Sequence, residues 1–141
     1  MSFGKSVAAT AEKMKRQVNE HTLKVASELF TTIITNTPIG LSDTKGQLIN
    51  NWHLGTGRGQ YNYGIRSAYN TSAMASRNDV AKLRSLSEFL NKDGEVSFSN
   101  SVHYAFRAEY AGWPAPKWSG KVGPYGMVRN SLTAVAAKYK V

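Results

Sequence analysis

The sequence has no cysteine, which excludes a disulfide framework and thiolate chemistry. No apolar run approaches the roughly 20 residues a membrane helix needs. The opening, MSFGKSVAATAEKMKRQ, lacks the continuous apolar stretch and small-residue cleavage site of a secretory signal, so a product of the cytoplasm is expected. Acid is scarce as well: nine Asp and Glu stand against eighteen Lys and Arg, a net charge of +9. Between Asp43 and Asp79 there is no acid, but Lys45, Arg58, Arg66 and Arg77 are present. After Glu109 there is again none, while Lys117, Lys121, Arg129, Lys138 and Lys140 follow. Two acid-free basic stretches imply a positive face suited to a polyanion or an acidic partner.

Catalytic patterns are missing too. His21, His53 and His103 lie far apart, and none stands beside a second ligand type at metal spacing. There is no Gly-x-Ser-x-Gly elbow. The glycine-rich GTGRGQYNYG lacks the Lys-Ser/Thr ending of a phosphate loop and reads as a hairpin tip with Arg58 at its apex. Glu109 is the sole carboxylate near the aromatic segment, and its expected role is to neutralise an arginine or accept backbone hydrogen bonds. A nuclease-like set of His103, Arg107 and Lys117 rests on spacing alone. No catalytic residue, metal ligand or cofactor is therefore expected, and the chain reads as a non-enzyme.

What is present is one domain's worth of residues, 141 of them, 41% apolar. Phe3, Val7, Ala11, Met14, Val18, Val25, Leu29 and Ile33 recur at helical spacing, which predicts an amphipathic helix over 3–35. At about 1.5 Å per residue it would span on the order of 50 Å, so it either projects from the body or packs on another subunit. Pro38 ends it, and an α+β body over 36–141 follows. Thr44 and Gln47 predict a capping box opening a short helix through Leu48 and Ile49. Residues 63–70 suggest a strand, and 72–94 a second helix with Met74, Val80, Leu83, Leu86 and Leu90 near one face. The alternation in EVSFSN predicts a half-buried strand, and Val102 to Tyr110 a short helix. Met127, Leu132, Val135, Ala136 and Tyr139 predict a closing helix. Between the last two helices lies AGWPAPKWSGKVGPYG, where Trp113 and Trp118 sit among prolines and glycines that offer few backbone partners.

In order, these segments resemble the head–tail joining or tail-completion (neck) proteins of long-tailed bacteriophages. Thr37 and Pro38 match that family's first pair, and Thr44, Gly46, Leu48 and Trp52 its second segment. Asn100, Tyr104, Ala105, Glu109 and Gly112 match the third, and Met127 and Arg129 the start of its C-terminal helix. The sequence departs from the pattern at Lys45, inserted between Thr44 and Gly46, and in the Tyr-Ala that separates Glu109 from its glycine. The resemblance implies an α+β fold, with a small twisted, mostly antiparallel sheet flanked by a long N-terminal, a middle and a C-terminal helix. It further implies a structural protein of the virion, assembled in the host cytoplasm into a hexameric or twelve-fold ring that joins the tail to the DNA-filled head. Its partners would be adjacent neck, connector and tail-tube proteins and packaged double-stranded DNA held by non-specific contacts, with no membrane. On this reading Trp113, Trp118, Tyr125, Met127 and Arg129 form the docking surface. Lys45, Arg58 and Arg66 face the DNA passage. The alternative is a free, non-sequence-specific nucleic-acid-binding protein using the same basic, aromatic-rich surface.

Overall fold

A computed structural model describes residues 3–40, 45–56, 64–67, 70–114, 121–122 and 124–139. The expected long helix is α1, Phe3–Thr35. It stops where the Thr37 hydroxyl turns back to donate to the Ile33 carbonyl (2.7 Å), ahead of Pro38, which cannot continue a helix. Residues 5–14 of α1 are exposed, whereas Ile33 and Ile34 are core. In the single chain its N-terminal part extends beyond the buried core.

Strand β1 (Trp52–Thr56) pairs antiparallel with β2 (Val96–Asn100), Trp52 opposite Asn100 and Thr56 opposite Val96. Phe98 is the hinge between sheet and helix. Its ring stacks on Phe30 of α1 at 4.3 Å and on Trp52 at 5.2 Å, so three rings from three elements form one column. The Trp52 indole N–H donates to Thr37 (3.0 Å), which satisfies the one polar atom in that column. The expected alternation along β2 is blurred, since all five of its residues are half-buried.

The middle helix is interrupted. It runs as α2 (Met74–Ala81), a 3-10 turn (Lys82–Leu86) and α3 (Ser87–Asn91). Ser85 donates to the Lys82 carbonyl (2.6 Å), the local competition with helical bonding that serines bring. Val80 and Leu83 are buried as expected, but Met74, at the first turn, is exposed. The short helix expected after residue 44 is a hydrogen-bonded turn instead. Gly46 lies at φ +83°; the Gly46 carbonyl accepts both the Asn50 backbone N–H (3.1 Å) and its side-chain amide (2.8 Å), while the Asn51 N–H turns to the Leu48 carbonyl (3.2 Å) and its side-chain amide takes the Gln47 carbonyl (2.6 Å). Thr44, its proposed cap, lies outside the described residues. The strand expected over 63–70 is irregular in its described part, 64–67, because the Arg66 N–H donates to the Asn51 side chain (2.6 Å) rather than to a ladder.

Helix α4 (Ala105–Tyr110) leads to a minimal ladder of β3 (Trp113–Pro114) and β4 (Lys121–Val122), and α5 (Met127–Tyr139) closes the chain. Helix α5 lies back along α1. Asn36 meets Ser131 at one end (2.9 Å), and Glu28 takes Lys138 and Tyr139 at the other. The expected apolar face is shifted: Met127, Ser131 and Val135 are buried, and Leu132 is exposed. Ser131 takes the inner position because its hydroxyl both donates to the Met127 carbonyl and accepts from Asn36. No helix among the described residues is long and apolar enough to cross a membrane.

Candidate interaction surface on α4 and α5

The junction of α4 and α5 is built on one carboxylate. Glu109 is buried, and its side chain accepts from the backbone N–H of Val128 (3.0 Å) and Arg129 (2.9 Å), in the first turn of α5. Gly126, just before that helix, has no side chain to cap it and sits at φ +56°. Glu109 therefore supplies the missing acceptor and places negative charge at the positive end of the helix. Arg129 completes the clamp: its Nε lies 3.7 Å from the Glu109 carboxylate, and it also donates to the Glu109 carbonyl. Both roles expected of Glu109 are present. Gly112, at φ +69°, ends α4 by returning its N–H to the Arg107 carbonyl (2.8 Å).

With Ala105, Ala108 and Glu109 facing inward, the other side of α4 carries Phe106, 74% exposed, and Tyr110, 51% exposed. Their rings lie 4.7 Å apart, and the Arg129 guanidinium sits 4.6 Å over the Tyr110 ring. Trp113 is half-buried beside them, edge-on to Tyr104 at 6.2 Å with Arg107 5.6 Å over its face. Phe106, Tyr110 and Arg129 thus share one ridge, with Arg129 over the Tyr110 ring and Arg107 over the neighbouring Trp113 ring. Exposed phenylalanine on a helix anchored to the body through buried Glu109 is a surface that binding would cover.

The expected docking residues separate on this scaffold. Arg129 belongs to the ridge. Trp113 and Tyr125 flank it while packing against the core, and Tyr125 donates its N–H to the Ala108 carbonyl (2.8 Å). Met127 is a correction: it is fully buried in the core, where no partner reaches it. Trp118 lies outside the described residues. Phe106 and Tyr110 were missed, although their four-residue spacing opposite two alanines was a readable signal.

The residues expected to meet DNA separate too. Arg58 lies outside the described residues, and Lys45 is exposed. Arg66 is not a free cation. Its guanidinium pairs with Asp79 (3.0 Å) and donates to the carbonyls of Asn50 (2.9 Å) and Trp52 (2.8 Å). With Ser76 and Asp79, which accept from the Trp52 and Leu54 N–H groups, it closes the open edge of β1. Unassigned by sequence, a groove between α1 and the α2–α3 run carries Lys24, Arg77 and Arg84 with the hydroxyls of Ser27 and Thr31, and Glu20 at one end.

The remaining motif positions hold the body together. Thr37, Leu48 and Trp52 are buried in or beside the core, with Pro38 at its margin. The N–H of Gly46 reaches the Ile39 carbonyl (2.6 Å). Asn100 donates to the Leu48 carbonyl (2.9 Å) and accepts from the Val102 N–H (3.1 Å). Among the described residues no group of three or more His, Asp or Glu is placed to hold a metal ion. No family model, curated protein or solved structure matches the chain.

Proposed function

We propose that this chain is a structural subunit of the head–tail junction of a long-tailed bacteriophage, assembling with its neighbours through the α4–α5 ridge. The observation that carries the reading is the exposed Phe106–Tyr110–Arg129 cluster, fixed from beneath by buried Glu109. The sequence resemblance supports it independently, since Glu109, Gly112, Met127 and Arg129 of the shared pattern are the residues that build this mount. A ring subunit needs a rigid, pre-formed contact face, because a face ordered only on binding costs affinity. Truncated aromatic anchors commonly cost about 2 kcal/mol or more each, and the loss repeats at every contact around a ring.

The test is a Phe106→Ala/Tyr110→Ala double variant. Both side chains lie outside the core, so the subunit is expected to melt as the parent does. In lysates of infected cells the variant is expected to leave tails and filled heads unjoined. Antibody labelling of intact particles is expected to mark the junction. Normal joining by the variant, or label elsewhere, overturns the reading.

The Lys24–Arg77–Arg84 groove favours a second reading, a protein that binds nucleic acid in solution through phosphate contacts. On that reading purified protein holds DNA with an affinity that falls steeply with salt, and removing one groove arginine lowers the slope by about 1.

A further inference from the structure

Along the projecting part of α1, Val7, Ala11, Met14 and Val18 follow one another at steps of four, three and four residues, so they lie on one face. That face is bare: Val7 is 51% exposed, Met14 60% and Val18 63%. Further along it, His21 and Glu28 hold Tyr139, the final residue of α5. The body thus already covers this face with an antiparallel helix and leaves the next two turns and more uncovered.

From this we infer that the N-terminal half of α1 pairs antiparallel with the same segment of a second copy of this chain. Three observations select that occupant. The first is side-chain volume. An antiparallel register sets Val7 opposite Val18 of the second copy, two residues of equal size, and Ala11 opposite its Met14, small against large, so the seam closes evenly. A parallel register would set Met14 against Met14 and Ala11 against Ala11, a bulge beside a gap.

The second is charge. The chain carries +9, so two copies repel over most of their surface. Along this seam the rim residues are Ala8, Thr10, Gln17 and Thr22, with Lys15 bound to Asp93 of its own chain at 3.0 Å. Two copies meet here without opposing unpaired charges. The third is continuity. In the same register the second copy's helix begins opposite Thr22, next to the point where α5 ends at His21, and runs in the direction α5 was running. The second helix extends a packing arrangement that the monomer already uses. None of this depends on the head–tail reading.

The chain's lack of cysteine makes the test direct. Two proteins, Val7→Cys and Val18→Cys, are oxidised separately and as a mixture, then separated on a non-reducing gel. Antiparallel pairing brings Cβ atoms of positions 7 and 18 within disulfide reach only across the two variants. The mixture is expected to give a cross-linked dimer severalfold more abundant than either protein alone. Sedimentation of the parent is expected to show a dimer that Met14→Glu converts to monomer with an unchanged circular dichroism spectrum. Self-cross-linking by the separate variants, no cross-link in the mixture, or a parent that stays monomeric as concentration rises each overturns the inference.

Discussion

His53 shows how one residue's neighbours become a property of the whole fold. It sits on β1, buried, opposite Ser99 of β2. Burial holds its pKa below the ordinary 6.5, and the nearby Arg66 cation adds to this. Asp79 and a hydrogen bond with the Gly64 backbone oppose the shift. The unfolded chain therefore takes up a proton first as pH falls. The neutral histidine's contribution is complete above about 6.5 and is lost as pH drops from there through the folded value. Glu28 and Glu88, held below their ordinary 4.5 by Lys138 and Arg16, titrate in a lower window. The melting temperature of the parent is thus expected to fall as pH drops below about 6.5. His53→Gln is expected to flatten that fall, as thermal melts across the window would show. Equal slopes in the two proteins would remove His53 as the cause.

At the scale of elements, α5 depends on a group that is not its own. Residues 126 and 127, Gly and Met, offer no side-chain acceptor to its first turn, and the carboxylate comes from α4, nineteen and twenty positions earlier. Glu109→Ala would leave the Val128 and Arg129 N–H groups without their side-chain acceptor and remove the carboxylate beside the Arg129 guanidinium, which keeps its bond to the main-chain carbonyl of residue 109. Loss of a cap and of charged hydrogen bonds is expected to lower the unfolding free energy by about 2 kcal/mol. Glu109→Gln keeps one acceptor and is expected to lose less. Urea denaturation of the three proteins checks the order, and a midpoint unmoved in Glu109→Ala would show that Glu109 is not what holds α5 in place. The ridge geometry depends on the same contact, so assembly and stability are expected to weaken together in this variant, unlike Phe106→Ala/Tyr110→Ala.

For the whole molecule, burial is concentrated at one end of α1. Ile33 and Ile34 join Leu48, Trp52 and Met127 in one cluster, while residues 5–14 touch solvent all round. In dilute protein, amide hydrogen exchange is expected to be fast over 5–14 and slow, close to the global limit, at Ile33, Ile34 and Trp52. Mass spectrometry of exchanged peptides measures this directly. Uniform protection along α1 in the monomer would contradict the projecting helix. Protection that appears over 7–18 only as concentration rises is the signature expected of the antiparallel pair.

The bounds of α1 and α5, the strand at Val96–Asn100 and the α+β class were all legible in the sequence, because each rests on a local period or a local stop signal. Pro38 ends one helix and Gly126 precedes another whatever lies nearby. The partner of each stripe was not legible. Arg66 reads as a free cation until Asp79 and two carbonyls close around it, and Met127 reads as an exposed anchor until the turn of α5 places it inward. Leu132 yields the inner position to Ser131 because Asn36, distant in sequence, supplies a hydrogen bond there. Phe106 and Tyr110 face outward because Glu109, between them in the chain, is drawn in to cap a helix that has not yet begun. Periodicity states that a face exists, and only contacts between residues far apart in the chain decide what it meets.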